Sequence, residues 1–582
     1  MFENMKNLDL IYFINIDTKE IENMNKMFRN CESLTSTNLT IFNTSKVTDM
    51  ASMFHSCYSL NSINLSNFKT ENLKQMENMF YHCFHLTSID LSNFNISNVE
   101  NMNYLFHDCV ELKTIVMPQC TTTKIITMNN IFQGCITLDS IDLSNFHTEK
   151  VNYMISAFEG CSSLTILNLS TFDTSNIYDI HKIFNDCSSL TSIIINTNKF
   201  KIDTIYDISF MFSGCSSLNS FDFSGFNTQN VLNMEYMFSD CTSLTNIDIS
   251  HFDTSKVTSF AFMFNNCFQL SSLDIHNFTT TNAYFMDNFF HNCSLLTYLD
   301  ISKFITDNVR KMNNMFSECI HLTSIEFPSN FNTENVIDMK NMFYKCINLT
   351  SLNLSIFNTQ NVISMSGMFS ECINLKTIDQ KFNTSQVISM NDMFLNCASL
   401  TSLDVSNFYT SKVQTIENMF QGCKSLSSIK TNIFDTANAN QIVNLFKDCN
   451  SIAYINISNF KIDKVNSLDN LFFNCSNLTS VDLPNFSSNN VKSTRGMFYN
   501  CHDIKSIDLS LFNNSFLENF DEMFLNCTSL EYLDISSFNL NSKDLSLLEG
   551  INKNSKIIVN NYTYITIKNS TKSNFFPNLT LK

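Results

Sequence analysis

The residues of this chain with the greatest potential for chemistry are its 21 cysteines and 11 histidines. Cysteines that bind zinc or exchange disulfides usually occur as close pairs such as C-x-x-C, and the chain has no such pair. Twenty cysteines instead share one spacing: sixteen of the nineteen intervals between them are 26 residues, and the others are 28, 27 and 25. This spacing does not match a metal-ligand array, so the sequence predicts no metal site.

The spaced cysteines have the pattern of small buried residues, because a phenylalanine lies three positions before each of them. We therefore predict a core ladder of stacked residues, which includes Phe212, Cys215, Phe238, Cys241, Phe264 and Cys267. Cys120 lies eleven residues after Cys109, where other repeats have a second phenylalanine, and we interpret it as core too. Disulfides between adjacent repeats are the alternative, so these cysteines do not indicate a redox compartment.

The histidines give no support to catalysis. His55, His85, His181 and His502, for example, occupy different positions of the repeat, without a nucleophile and an acid in a recognisable motif. Only eight glycines are present, which argues against a glycine-rich phosphate loop, and no calcium-loop motif occurs. The sequence predicts no catalytic residue, no cofactor and no enzyme activity.

Acidic residues recur at one position, the outward residue of a short predicted strand. Eleven aspartates and one glutamate occupy it, and five consecutive repeats form what we call the acidic strip: Asp222, Asp248, Asp274, Asp300 and Glu326. Like charges at strand spacing raise one another's pKa values and destabilise a fold unless something offsets them. The strip is predicted to bind a basic protein segment or divalent cations on a concave face. The alternative is a solvated polar face, partly protonated or paired with serine hydroxyls.

Each repeat consists of three segments, which together position the cysteines and the acidic residues. The first, M-x-x-M-F-x-x-C as in Met50 to Cys57, has apolar residues at i, i+3, i+4 and i+7 and predicts a short α- or 3-10 helix. The second, L-x-x-I-x-L, alternates like a short strand, and the third, S-N-F-x-T-S-x-V, is rich in turn residues. One strand per unit predicts an α/β solenoid, a right-handed array of about 21 units with a parallel sheet.

The repeats extend over residues 1–545, and residues 546–582 are predicted to be a C-terminal cap and tail. Three repeats have irregular length, at Asn198-Lys199, at Pro328 to Asn330 and at Asp379 to Phe382, which predicts loop bulges. In the cap, two strand-like runs flank Asn560-Asn561 and predict a hairpin. The last stretch, from Ser570, is predicted to be loosely ordered.

The net charge of −18 argues against nucleic acid and anionic lipid as partners and favours basic proteins. No apolar run approaches the roughly 20 residues of a transmembrane helix. The chain opens inside the repeat pattern, with neither a signal peptide nor a polar cap. Either residues are missing from this N-terminus, which is what we expect, or a partner covers it.

The repeat M-F-x-x-C-x-x-L-x-x-I-D-L-S-x-F-x-T-S-x-V-x-x-M resembles the 26-residue repeat of BspA-like leucine-rich repeat surface proteins, the DUF285 family. The resemblance covers about residues 1 to 545. It implies a leucine-rich-repeat-like solenoid on a microbial cell surface, engaged in adhesion or contact with host proteins. The second aromatic position, often tryptophan in the family, is phenylalanine here, as at Phe68 and Phe94.

These observations favour a cell-surface or secreted protein that contacts host, matrix or other surface proteins without catalysis. Two alternatives remain: an intracellular leucine-rich-repeat scaffold for a basic protein, and a structural spacer.

Overall fold

A computed structural model describes residues 1–405, 408–431, 434–484, 490–512, 515–541, 544–570 and 576–582. The chain divides into two compact units, each built from the same stacked coils. Unit 1 comprises Met1–Ala283 and Asn288–Leu299, and unit 2 comprises Tyr284–Asp287 and Asp300–Lys582. The boundary at residue 545 between repeats and cap stays a prediction.

The short strands pair in parallel with their counterparts one coil away, which confirms the predicted parallel solenoid. In register, Ile89 is opposite Ile115 and Leu352 is opposite Ile378, 26 residues later in both cases. The described strands are β1 Leu10–Ile11, β2 Ser36–Thr37, β3 Ser88–Asp90, β4 Thr114–Val116, β5 Ile166–Leu169, β6 Ser192–Ile195, β7 Ser351–Leu354, β8 Thr377–Gln380, β9 Tyr454–Asn456, β10 Ser480–Asp482, β11 Ser506–Asp508, β12 Tyr532–Asp534, β13 Lys556–Val559 and β14 Leu579–Leu581. The sheets are β1-β2, β3-β4, β5-β6, β7-β8, β9-β10 and β11-β12-β13-β14.

A second parallel ladder, which was not predicted from the sequence, lies just before the first part of each repeat, M-x-x-M-F-x-x-C. We call this part the Met-Phe-Cys segment. It consists of single bridges between equivalent residues of adjacent coils, for example Asp49 with Gln75 and Thr127 with Tyr153. Each side of a coil therefore has main-chain hydrogen bonds to its neighbours, which satisfies backbone groups that stacking buries.

The Met-Phe-Cys segment is a run of tight turns, and here the structure differs from the predicted short helix. Ser52 and Ser56 have positive φ angles of 57° and 59°, which a right-handed helix excludes. The Phe54 N–H donates to the Met79 carbonyl of the next coil at 2.9 Å, while the Cys57 N–H donates to the Phe54 carbonyl at 3.1 Å. The equivalent segment of the next coil provides acceptor carbonyls, whereas in a helix the acceptors would belong to the same segment. The i, i+3, i+4, i+7 side chains still share one buried face.

The core is a ladder of stacked phenylalanines with a cysteine beside each ring. Rings of Phe212 and Phe238 stack with centroids 5.7 Å apart, and those of Phe238 and Phe264 at 5.4 Å. Cys241 Sγ donates a hydrogen bond to the Phe212 carbonyl at 3.1 Å, and Cys267 Sγ donates to the Phe238 carbonyl at 3.0 Å. The cysteine thus fills the core and also satisfies a carbonyl of the preceding coil.

All 21 cysteines are free thiols, so the alternative of disulfides between coils is not formed. Twenty of them are buried, whereas Cys120 is half-buried. Cys120 Sγ accepts a hydrogen bond from the Ile96 N–H at 3.2 Å. Burial raises the pKa of Cys215 and its equivalents well above the ordinary thiol value. The buried thiols therefore remain protonated.

One irregular coil shows how the array tolerates a missing residue. In the 25-residue coil, the buried side chain of Gln380 accepts a hydrogen bond from the Phe382 N–H at 2.7 Å through Oε1. Its Nε2 donates to the Asp404 carbonyl of the next coil. The side-chain amide takes over main-chain pairing at this point.

The predicted C-terminal hairpin at Asn560-Asn561 is wrong. Strand β13 forms as predicted, but the Asn560 side chain then accepts the Thr563 N–H at 2.9 Å and caps an α-helix, α1, Asn561–Lys568. Thr563 Oγ1 is buried against the Phe538 carbonyl at 2.6 Å, which fixes this first turn. A 3-10 helix, Asp544–Leu548, precedes β13. The predicted loose tail is also wrong at β14, which pairs with β13, while residues 571–575 lie outside the described residues.

Candidate functional site

The acidic strip of unit 1 lies at positions that are strand ends in other coils, as Asp90 is in β3. Asp222, Asp248 and Asp274 are exposed, and the Oδ1 of each accepts the backbone N–H of the residue two positions later, at 2.9, 3.2 and 3.2 Å. This hydrogen bond stabilises the turn that follows the strand. The aspartates therefore have a structural reason to be present.

The pKa values of Asp222 and Asp248 move in the direction opposite to the expected one. The backbone N–H of Ser224, followed by its hydroxyl, lowers the pKa of Asp222. The hydroxyl of Ser250, followed by its N–H, lowers the pKa of Asp248, and the neighbouring Asp274 opposes this only weakly. Hydrogen bonds to the ionised form outweigh repulsion between exposed carboxylates, because solvent screens the repulsion. These two carboxylates are ionised at neutral pH.

The remaining two residues of the acidic strip lie in unit 2. Asp300 is half-buried and accepts the Ser302 N–H at 2.9 Å, and Glu326 is exposed. Serine hydroxyls contact Asp222 and Asp248, as the alternative predicted. Ligand binding by the strip stays a hypothesis.

Large apolar side chains form a second surface in unit 1, which we call the apolar column. Its members are 42–46% exposed, although they are aliphatic or aromatic: Ile126, Tyr153, Tyr178, Tyr206 and Leu232. The column lies on the second parallel ladder. The Tyr206 N–H donates to the Tyr178 carbonyl at 3.2 Å, and the Leu232 N–H donates to the Tyr206 carbonyl at 2.8 Å.

The column spans five successive coils, whose backbones are joined by hydrogen bonds. Asn152 fills the place between Ile126 and Tyr178, and the Tyr153 ring beside it lies 6.2 Å from the Tyr178 ring. Coils stack at about 4.8 Å, so the column is about 20 Å long. No structural role of the kind seen for the aspartates accounts for it, and the sequence analysis did not single it out.

A third feature joins residues that the sequence analysis treated as scattered. Among the described residues, one group of potential ligand side chains, His82, His107 and Asp108, has three ligand atoms within 4.8 Å of one another. His82 and Asp108 occupy the same repeat position in adjacent coils. The His107 ring lowers the pKa of Asp108, and burial lowers the pKa of His82, so the latter ring is neutral at pH 7. In the sequence, this group could have been found because His107 and Asp108 lie 25 and 26 residues after His82, which is about one repeat.

Comparison with known proteins identifies the family. The profile described as "Mycoplasma protein of unknown function, DUF285" matches residues 1–118, 116–220, 190–298, 265–353, 285–392, 348–454 and 440–558. The chain belongs to the DUF285 family. The predicted resemblance is thereby confirmed, and no curated protein matches the sequence.

Several solved structures are similar to this DUF285 chain at low identity. A leucine-rich repeat protein from Bacteroides ovatus is 16% identical over 87% of this chain and 86% of that chain, with a TM-score of 0.23. A leucine-rich cell surface protein from Faecalibacterium prausnitzii is 16% identical over 69% and 82%, with a TM-score of 0.21. The parallel bridges within the DUF285 chain, and not these scores, establish its fold. Within the described residues, no helix is both long and apolar enough to span a bilayer.

Proposed function

We propose that this chain is a non-enzymatic, surface-displayed solenoid that binds a protein partner through the apolar column. The observation that supports this most directly is the exposure of Tyr178, Tyr206 and their neighbours on successive coils. Contiguous exposed apolar side chains are uncommon on monomeric soluble proteins and are typical of interaction surfaces. Tyrosine is also enriched among the residues that contribute most to binding energy.

The partner is a protein with an apolar patch surrounded by basic side chains. The net charge of −18 favours such a partner, and Asp207 lies directly next to Tyr206. Burial, followed by the charge of Asp179, raises the pKa of Tyr206, which places this ring in a negative field. Basic rim residues would speed association, while the apolar contacts would provide affinity.

The cell-surface part of the proposal rests on the resemblance to BspA-like surface repeats. The protonated, buried thiols are compatible with it, because the thiolate is the form that oxidises and burial suppresses the thiolate. An intracellular scaffold would use the same column for an intracellular partner. A structural spacer would need no column at all.

The test compares binding of purified wild-type chain and a Tyr178→Thr/Tyr206→Thr variant to an array of purified extracellular-matrix proteins. Threonine suits the site, since Thr258 occupies the next position of this column. The matched control is Tyr298→Ser, which removes an exposed tyrosine outside the column at a position where Ser272 stands one coil earlier. We expect at least a tenfold loss of affinity for the column variant and none for the control. Binding that is equal in all three chains, or absent from the array, contradicts the proposal.

The acidic strip is tested separately by neutralising it. Asp222, Asp248, Asp274 and Asp300 are changed together to Asn, which keeps the turn hydrogen bond, as Asn64 does at the equivalent position. If the strip contributes to binding, affinity falls and loses part of its salt dependence. Unchanged affinity, with an equal or higher Tm, would remove the strip from the binding surface.

A further inference from the structure

The group of His82, His107 and Asp108 has the chemistry of a metal site. His82 Nε2 lies 3.1 Å from Asp108 Oδ2, and His107 Nδ1 lies 3.4 Å from the same oxygen. Two imidazole nitrogens and a carboxylate oxygen are the ligands of many zinc sites. These ligand atoms come from two adjacent coils and lie within 4.8 Å of one another.

Two of the three separations between the ligand atoms already fit tetrahedral coordination. Zinc binds His nitrogen at about 2.0–2.1 Å and carboxylate oxygen at about 2.0–2.2 Å, so ligand atoms in a tetrahedral site lie about 3.3–3.5 Å apart. The two measured separations, 3.1 and 3.4 Å, are close to that edge length. The third separation, between the ligand nitrogens of His82 and His107, is within 4.8 Å, and rotation of the side chains would bring these atoms to the tetrahedral spacing.

An unpaired polar atom points to a missing ligand. His107 Nδ1 is buried and has no hydrogen-bond partner. The Asp108 Oδ2 atom lies 3.4 Å from His107 Nδ1 but does not meet the geometry of a hydrogen bond to it. Buried polar atoms are nearly always satisfied, and an orphan of this kind indicates an ion or water at that place.

The surroundings are suited to hold an ion and to let it enter. Rings of Tyr81 and Tyr104 flank His107 with centroids 4.7 and 5.6 Å away, and Tyr81 also packs on His82 at 3.9 Å. The side chains of His82, His107 and Asp108 are 27%, 15% and 36% exposed, so solvent reaches the carboxylate side. Three protein ligands leave a fourth position for water.

We propose that His82, His107 and Asp108 bind one Zn²⁺ ion that links two adjacent coils of unit 1. The ion satisfies His107 Nδ1 and joins residues 25 and 26 positions apart, so it stabilises the stacking of these coils. This inference is independent of the proposed binding function.

In the experiment, the full chain is treated with a chelator and then titrated with Zn²⁺. Calorimetry measures the affinity and the stoichiometry, and the Tm is measured with and without zinc. Three variants remove the ligands while keeping residues that the repeat already accepts. Asn replaces His82 and Asp108, since Asn30 and Asn266 occupy the same positive-φ position, and His107→Gln copies Gln133 of the next coil. The matched control is His85→Gln, an exposed histidine paired with Glu111 at 3.0 Å.

The expected result is one Zn²⁺ per chain and a higher Tm with zinc in wild type and His85→Gln. Each ligand variant should weaken zinc affinity at least tenfold and lose the zinc-dependent rise in Tm. Titration with Co²⁺ separates this site from the cysteines, because a His₂Asp site gives no thiolate-to-metal charge-transfer band. Zinc affinity unchanged in all three variants, a thiolate band, or no binding at millimolar zinc would overturn the proposal.

Discussion

The turn geometry of the Met-Phe-Cys segment leads to a stability prediction at Asn444. This residue has a φ of 56° and lies in a ladder of side-chain amides across adjacent coils. Its Nδ2 donates to Asn418 Oδ1 at 2.9 Å, and its Oδ1 accepts from Asn470 Nδ2 at 3.1 Å. Replacing Asn444 by Ala and by Gly separates the two contributions. Both replacements remove the side-chain hydrogen bonds, but only Ala is strained in the left-handed backbone conformation.

Both replacements lose two part-buried hydrogen bonds, which cost about 1 kcal/mol each. Ala also has to adopt the left-handed conformation, which costs about 1 kcal/mol more than it does for Gly. We therefore expect Asn444→Gly to cost about 2 kcal/mol and Asn444→Ala about 3 kcal/mol. In a helix the order would be reversed, because Ala is favoured over Gly there by about 1 kcal/mol.

Native-state hydrogen exchange at the amides of residues 440–475 is the appropriate measurement, because long repeat arrays do not unfold as a single unit. The matched control is the same pair of changes at Asn440, which is exposed and is not among the positive-φ residues. There Gly should not be more stable than Ala. If Ala equals or exceeds Gly at Asn444, the left-handed turn does not determine the choice of residue.

Three further predictions address the thiols, the strand-end turns and the irregular coil. Burial raises the pKa of thiols such as that of Cys475, to about 12, so a thiol reagent at pH 8 should modify only the half-buried Cys120 in the folded chain. The Cys120→Ser variant should lose this fast reaction, and fast modification of several thiols would contradict the prediction. The folded pKa of Asp248 is lowered, so its stabilisation is complete above the unfolded value of about 3.9 and is lost as pH falls through the folded value. Ser250→Ala should therefore reduce the fall in Tm between about pH 5 and pH 2, and an unchanged slope would refute the role of the hydroxyl. Gln380→Ala should destabilise its coil by about 1–3 kcal/mol, measured by hydrogen exchange, because the Phe382 N–H and the Asp404 carbonyl lose their partner. A loss below about 0.5 kcal/mol would show that water replaces the side-chain amide.

The parallel stacking could be predicted because the 26-residue interval alone determines which residues are neighbours. Phe212 and Phe238 stack because they share a repeat position, whatever the local conformation between them. The helix could not be distinguished from the turns in this way. A spacing of i, i+3, i+4 and i+7 places side chains on one face in both, and only the backbone hydrogen bonds decide. The Cys241 hydrogen bond to Phe212 also required knowledge of where that carbonyl points.

The candidate sites differ in how far local sequence reveals them. The acidic strip is visible along the sequence because it repeats, and repetition favours a structural reason, here the turn that each aspartate stabilises. His82, His107 and Asp108 are the reverse case, since no other coil repeats the combination and His82 lies about one repeat away from the other two. In a solenoid, residues at i, i+25 and i+26 are neighbours, so a unique site consists of unusual residues at those separations. A substitution that departs from the repeat in two adjacent coils is therefore better evidence of function than any residue that the repeat conserves throughout the array.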